Sequence, residues 1–210
     1  MFICARCGNP SQDNSVGNKI MFMRHGKTQM NLDNICVGSI DEPICKLGVE
    51  QSQEAAEEFV SSGEKVDVIF SSPLKRARTT AEIFAKKLGV PLYFSESLSE
   101  RDAGEIQGKP ETPESEALLL KYDYLPKGAT PLVDFEKETS LFLKGLDGNE
   151  FGNNTLLVTD GCRMLTIIKL IKGWNVDHIM RFTPPSNCQI ITFFLGEPCK
   201  SCNNKFYELR

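Results

Sequence analysis

Short apolar runs alternate with longer amphipathic stretches along this chain. Residues 19–23 (KIMFM), 66–70 (VDVIF), 155–159 (TLLVT) and 189–195 (QIITFFL) are apolar runs of strand length. Residues 91–98 offer one more strand, and 205–209 another that pairs with 189–195 across the turn GEPCKSCNN. Between these runs the rhythm changes. Residues 47–61 carry Val49, Ala55, Ala56, Phe59 and Val60 among acids and glutamines, which fits an amphipathic helix. Residues 76–88 read as a helix opened by Ser72-Pro73. Two more helices are expected at 133–146 and at 162–172, where Met164, Leu165, Ile167, Ile168 and Ile171 are apolar. Strands alternating with helices predict an α/β sandwich on a mostly parallel sheet.

A chain of 210 residues suits one domain with a small insertion. Residues 1–18 are polar and turn-rich and read as an N-terminal extension; residues 19–210 form the domain proper. Within it, residues 107–154 gain prolines and glycines and lose regular patterning, the mark of a small cap insertion over a site. A net charge of −4 without a basic stripe argues against nucleic-acid binding. No apolar run reaches bilayer-spanning length, so no membrane partner is expected. The N-terminus lacks a basic region followed by an apolar core, which predicts a cytoplasmic protein.

The candidate chemistry lies in four segments, each where a strand ends or a helix begins, the place where open α/β sheets bind ligands. In MRHGKTQMN (23–31), His25 is one of two histidines in the chain. A neutral imidazole there could attack phosphorus and hold the phosphoryl group covalently. Arg24 offers a fork for phosphate oxygens, and Thr28 and Asn31 offer further hydrogen bonds. In SSPLKRARTTAEIF (71–84), Arg76 falls in the first helical turn and could supply a second guanidinium. In LSERDAGEIQG (98–108), Glu100 is a general-acid candidate if burial raises its pKa. The fourth segment is TLLVTDG (155–161). Plainer readings stand beside these: surface ion pairs for the arginines, a helix N-cap for Asp160, and a structural role for His178.

In this order the segments resemble the histidine phosphatase superfamily on its phosphoglycerate-mutase-like branch, over residues 19–195. RHG with a downstream Thr and Asn, VGSIDEPICKLGVEQ (37–51), the RAxxTA pattern at 76–81, and Glu100 followed by Gly104 and Gly108 carry the resemblance. It implies a three-layer α/β/α sandwich, its sheet mostly parallel with a late antiparallel strand. It also implies that His25 is phosphorylated, that Arg24 and Arg76 bind phosphate, and that Glu100 donates the proton. Asp160 departs from the pattern, since the family places a second histidine there. A carboxylate about 4 Å from a phosphoryl charge costs on the order of 4 kcal/mol at an effective dielectric near 20, roughly a thousandfold in rate. Three arrangements would relieve this: a protonated Asp160, an Arg163 that swings in, or an Asp160 that binds the His25 imidazole.

The eight cysteines divide evenly. Cys4 with Cys7, and Cys199 with Cys202, form two CxxC pairs; Cys36, Cys45, Cys162 and Cys188 are scattered and expected to be free thiols. Four thiolates suit a tetrahedral structural zinc. In the resembled fold the late strand runs antiparallel beside the first, which would bring both knuckles together as a clip between the chain ends. Free thiols or disulfides are the alternatives.

The expected function is phosphatase-like hydrolysis of a small phosphorylated metabolite with no cofactor for catalysis. Phosphoglycerate mutase activity is less favoured, because the mutases' insertion carries an Arg-Arg pair and residues 107–154 hold no arginine. A decayed phosphatase that binds a phospholigand is the rival, motivated by Asp160. A zinc-ribbon nucleic-acid module draws only on the cysteines and conflicts with the acidic charge balance.

Overall fold

The computed structural model describes residues 18–112, 125–146, 154–175, 179, 185–198 and 205–209. Its strands are β1 (Asn18–Arg24), β2 (Val68–Ser71), β3 (Leu92–Phe94), β4 (Asn154–Thr159), β5 (Ile190–Pro198) and β6 (Lys205–Leu209). Its helices are the short α1 (Gln29–Leu32), then α2 (Lys46–Ser61), α3 (Lys75–Leu88), α4 (Leu132–Gly145) and α5 (Gly161–Lys172). The sheet order is β3-β2-β4-β1-β5-β6. β1, β2, β3 and β4 pair in parallel, whereas β5 runs antiparallel to β1 and β6 antiparallel to β5.

Alternation along the strands explains the two cores. On one face Ile20, Phe22, Phe70 and Leu157 meet Met164, Leu165, Ile168 and Ile171 of α5. On the other, Met21, Met23, Ile69, Leu156 and Val158 meet Ala56 and Phe59 of α2 and Ala77, Ala81 and Phe84 of α3. Each fully buried Phe or Leu of this kind contributes about 2–3 kcal/mol. Helices on both faces of a mostly parallel sheet with late antiparallel strands make the expected three-layer sandwich. α3 and α5 both stop at left-handed glycines, Gly89 (φ 68°) and Gly173 (φ 63°), which place the next carbonyls and amides where a side chain with Cβ would be strained.

The strand expected at 91–98 is shorter. It ends at Phe94, and a 3-10 turn follows at Glu96–Leu98. The turn carries the chain back under β4, where Thr159 Oγ1 donates to the Leu98 carbonyl at 2.6 Å. β2 begins at Val68 rather than Val66, because Asp67 turns its carboxylate to the Asn154 amide at 2.8 Å.

The helix expected within the cap belongs instead to the sandwich. α4 buries Leu132, Phe135 and Thr139 and packs on α5. Arg163 of α5 stacks over the Phe135 ring, 3.5 Å from its centroid, and pairs with Glu138 at 3.0 Å. Residues 113–124 and 147–153 of the expected cap lie outside the described residues. So do His178 and both CxxC pairs, Cys4, Cys7, Cys199 and Cys202. No helix among the described residues is long and apolar enough to cross a membrane.

Candidate active site

The site gathers where β1 and β4 end side by side. Arg24 pairs with Thr159 in register, and the His25 amide donates to the Thr159 carbonyl at 3.0 Å, so His25 and Asp160 leave the sheet together. Gly26 then turns the chain beneath α2. A Cβ on Gly26 would sit 2.5 Å from the Gly48 carbonyl oxygen and 2.6 Å from Ser52 Oγ, so only glycine fits against the helix. The Gly26 amide donates to Thr80 Oγ1 at 2.9 Å, which ties the histidine loop to α3. From the far side, Asn187 Nδ2 donates to the His25 carbonyl at 2.8 Å, and the Cys188 amide donates to the Arg24 carbonyl at 2.9 Å.

His25 is buried, and its Nδ1 lies 2.7 Å from the Gly26 carbonyl oxygen. A carbonyl can only accept, so Nδ1 carries the proton and Nε2 presents its lone pair. Burial pushes the imidazole pKa below its ordinary value, and the charges of Arg76 and Arg24 act the same way. The contact with Asp160 and its charge oppose them without prevailing. Nε2 faces Asp160 Oδ1 at 3.2 Å.

Arg76 is fully buried. Its Nε donates to the same Asp160 Oδ1, Nη1 to the Ile40 carbonyl at 2.5 Å and Nη2 to the Gly38 carbonyl at 2.7 Å. Three of its five N–H groups therefore serve the protein. Burial drives the Asp160 carboxyl pKa upward, but Arg76 and His25 together outweigh it and hold the pKa below the usual value. Asp160 stands at the N-cap of α5, yet its side chain makes no cap hydrogen bond. The N-cap reading therefore holds for its backbone alone.

Glu100 takes over that capping. Its Oε2 accepts from the Cys162 amide at 2.9 Å, and its Oε1 accepts from the Arg101 amide at 2.8 Å. Its pKa is pushed up to about 7, first by burial and then by the charge of Asp160. The amides of Arg101 and Cys162 and the charge of Arg76 resist the rise. A carboxyl with that pKa can hold a proton near neutrality and give it up on demand.

Arg24 is left with an idle buried donor beside the histidine loop. Its Nε has no hydrogen-bond partner, and its guanidinium lies 3.6–3.7 Å from where a Cβ of Gly161 would stand. Asp160 Oδ2 is likewise buried and unpartnered. Thr28 and Asn31, expected to bind phosphate, satisfy one another in a capping box at the start of α1. The Asn31 amide donates to Thr28 Oγ1 at 3.1 Å, and the Thr28 amide donates to Asn31 Oδ1 at 3.3 Å. Arg163 does not reach Asp160. It bonds the Ser99 and Phe135 carbonyls and Thr139, so the arrangement in which it neutralises Asp160 is replaced by one in which Arg76 does.

Sequence reasoning missed Thr80, although it lies inside the RAxxTA pattern, and Asn187, whose only signal is a polar pair just before an apolar strand. The four scattered cysteines are free thiols, as expected. Burial raises the Cys36 thiol to about 11 and pushes Cys162 well above the ordinary value, which makes both poor nucleophiles. Among the described residues no group of three or more His, Cys, Asp or Glu side chains could hold a metal ion.

Comparison with known proteins agrees with this geometry. A family model described as histidine phosphatase superfamily (branch 1) matches residues 20–202. A provisionally named phosphoserine phosphatase 2 of Hydrogenobacter thermophilus is 30% identical over 169 residues, covering 77% of this chain and 82% of that protein. A phosphoglycerate mutase of Schizosaccharomyces pombe is 25% identical over 177 residues, 78% of this chain and 84% of its own. In fold, the chain is similar to a mycobacterial glucosyl-3-phosphoglycerate phosphatase solved with VO3. The TM-score is 0.79 at 20% identity, with 91% of this chain and 97% of that one covered.

Proposed function

Because the chain belongs to the histidine phosphatase superfamily, we propose that it hydrolyses a small phosphomonoester through a phosphorylated His25. Nε2 attacks phosphorus, and the P–O bond to the leaving group breaks as Glu100 protonates the departing oxygen. Water then attacks phosphorus as the P–Nε2 bond breaks, Glu100 takes the water's proton, and inorganic phosphate leaves the free imidazole. The observation that carries this is the proton inventory of His25: Nδ1–H is fixed on the Gly26 carbonyl, so in the neutral imidazole the lone pair belongs to Nε2, the nitrogen beside Asp160. Relatives named for phosphoserine and for glucosyl-3-phosphoglycerate support a phosphorylated small molecule as substrate. The missing arginines of residues 107–154 favour hydrolysis over mutase transfer.

Brief mixing with an aryl phosphate should leave an acid-labile phosphate on the chain, detectable by mass spectrometry and absent in His25→Ala. A second reading is favoured by one contact. Asp160 Oδ1 bridges His25 and Arg76, so the protein would hold a phospholigand with little turnover. An inert wild type with an active Asp160→His variant would select that reading, and rapid turnover by the wild type would dismiss it.

The four paired cysteines form a structural zinc clip in this proposal, a feature supported by the pairing of Asn18 with Leu195 at the start of β1 and along β5. Metal analysis of the full chain should return about one zinc per chain, and chelation should lower its melting temperature without touching His25. The free thiols support a reducing, cytoplasmic setting.

A further inference from the structure

We propose that Asp160 makes this pocket selective for a phosphoryl group that carries a proton, the carboxylate accepting the P–OH hydrogen while Arg24 donates to an ionised oxygen. The inference rests on the reading of the site as a phosphoryl pocket and specifies which form of the anion it takes. Two buried atoms carry it. Asp160 Oδ2 is an acceptor without a donor, and Arg24 Nε is a donor without an acceptor. The two residues sit at neighbouring strand ends, Arg24 beside Thr159 in register and against Gly161, with Asp160 between those two positions. Asp160 Oδ1 is already held by Arg76 and faces His25, so the carboxylate cannot turn Oδ2 toward Arg76 without giving up that bond.

A ligand that satisfies both orphans must offer a hydrogen and a lone pair side by side. Inorganic phosphate near neutrality has both. A phosphomonoester has both as the monoanion and loses the hydrogen above a pKa of about 6. Sulfate, fully ionised, has only acceptors and would set an oxygen against Oδ2. The groups facing Asp160 fix the charge balance. They are His25 from the end of β1, Arg76 from α3, Glu100 after the 3-10 turn and, at longer range, Arg163 from α5, while Arg24 acts on His25 beside them. Arg163 is held by Glu138 and by backbone carbonyls, and Arg76 by Asp160 itself, so Arg24 is the cation left for the ligand. One cation facing a dianion leaves buried negative charge, and a proton brought with the ligand removes it.

The test is calorimetric titration of the full chain with inorganic phosphate and with sulfate near pH 7. Phosphate should bind at least about tenfold tighter, the value of one buried acceptor left unmatched. In Asp160→Asn the preference should collapse toward parity. A second measurement does not depend on the variant folding. A non-hydrolysable alkyl phosphonate, titrated above its second pKa in two buffers of different ionisation heat, should take up one proton on binding to the wild type. Sulfate binding as tightly as phosphate, or phosphonate binding with no proton uptake, overturns the role of Asp160 and leaves the pocket standing. Failure of phosphate, sulfate and phosphonate alike to bind at any pH overturns the pocket itself and this inference with it.

Discussion

Replacing Glu100 with glutamine should stabilise the protein in mild alkali, destabilise it in mild acid, and cripple it at every pH. The carboxyl pKa rises from an ordinary 4.5 to about 7 in the folded chain. Between those values the folded state keeps a proton that the unfolded state has released, so stability falls as pH rises through the window and levels off above it. A shift of that size corresponds to roughly 3 kcal/mol. Glutamine carries no such penalty, but it has one acceptor where Glu100 uses two, Oε1 for the Arg101 amide and Oε2 for the Cys162 amide. The lost bond costs about 1 kcal/mol. The variant should therefore be about 1 kcal/mol less stable than the parent near pH 4 and about 2 kcal/mol more stable near pH 8. For a domain of this size that is a gain of about 4–8 °C in Tm at the alkaline end. Urea melts across that range would show the two stability curves crossing. Loss of the proton donor should meanwhile lower turnover of an aryl phosphate by about 100- to 10,000-fold. A constant gap between the two curves from acid to alkali would refute the buried, proton-holding Glu100 and its assignment as general acid together.

Gly26→Ala should cost about 1–3 kcal/mol in chemical denaturation, because the new Cβ meets the Gly48 carbonyl and Ser52 Oγ of α2 rather than a mobile side-chain tip; a neutral result would mean that α2 yields freely. Arg76→Met should cost about 3–5 kcal/mol by leaving Asp160 buried with its principal counter-charge gone. Adding Asp160→Leu should recover much of that loss, since an apolar pair can replace a buried ion pair, and the same melts would read it. Thr80→Val should lower kcat more than it raises KM, because Thr80 Oγ1 holds the Gly26 amide next to His25, the proposed nucleophile; steady-state kinetics on an aryl phosphate would separate the two constants.

Periodicity and strand length predicted an α/β sandwich on a mostly parallel sheet, and the resemblance added the three layers and the late antiparallel strand. Every strand and long helix expected from the apolar pattern is present, most within two residues of its expected ends. The differences have local causes. The strand at 91–98 stops at Phe94 because it lies at the sheet edge, with Tyr93 and Phe94 about half exposed, and Leu98 is needed beneath Thr159. α4 could not be told from a cap element by pattern alone. Its partner is Arg163, a polar residue on α5 whose burial becomes visible only when the Phe135 ring and Thr139 close over it. The site motifs were legible because each occupies a strand end or a helix start. The supports from Asn187 and Thr80 were not, since one hydrogen bond to a backbone atom 162 or 54 positions away leaves no trace in local composition.

Asp160 shows where pairwise reasoning from sequence goes astray. Taken as a bare carboxylate facing a phosphoryl group, it implies a repulsion on the order of 4 kcal/mol. In the fold that charge is already spent on Arg76, whose Nε donates to Oδ1. In the proposed mechanism the cost would therefore be a lost cation rather than an added anion: Arg76 would offer a ligand a neutralised charge and two remaining N–H groups, leaving the binding to Arg24. A histidine at this position would release Arg76 and add a donor at the same stroke. Asp160→His should therefore tighten the binding of dianionic esters more than replacement by asparagine does, although both remove the same negative charge. Equal gains from the two substitutions would return the argument to simple repulsion.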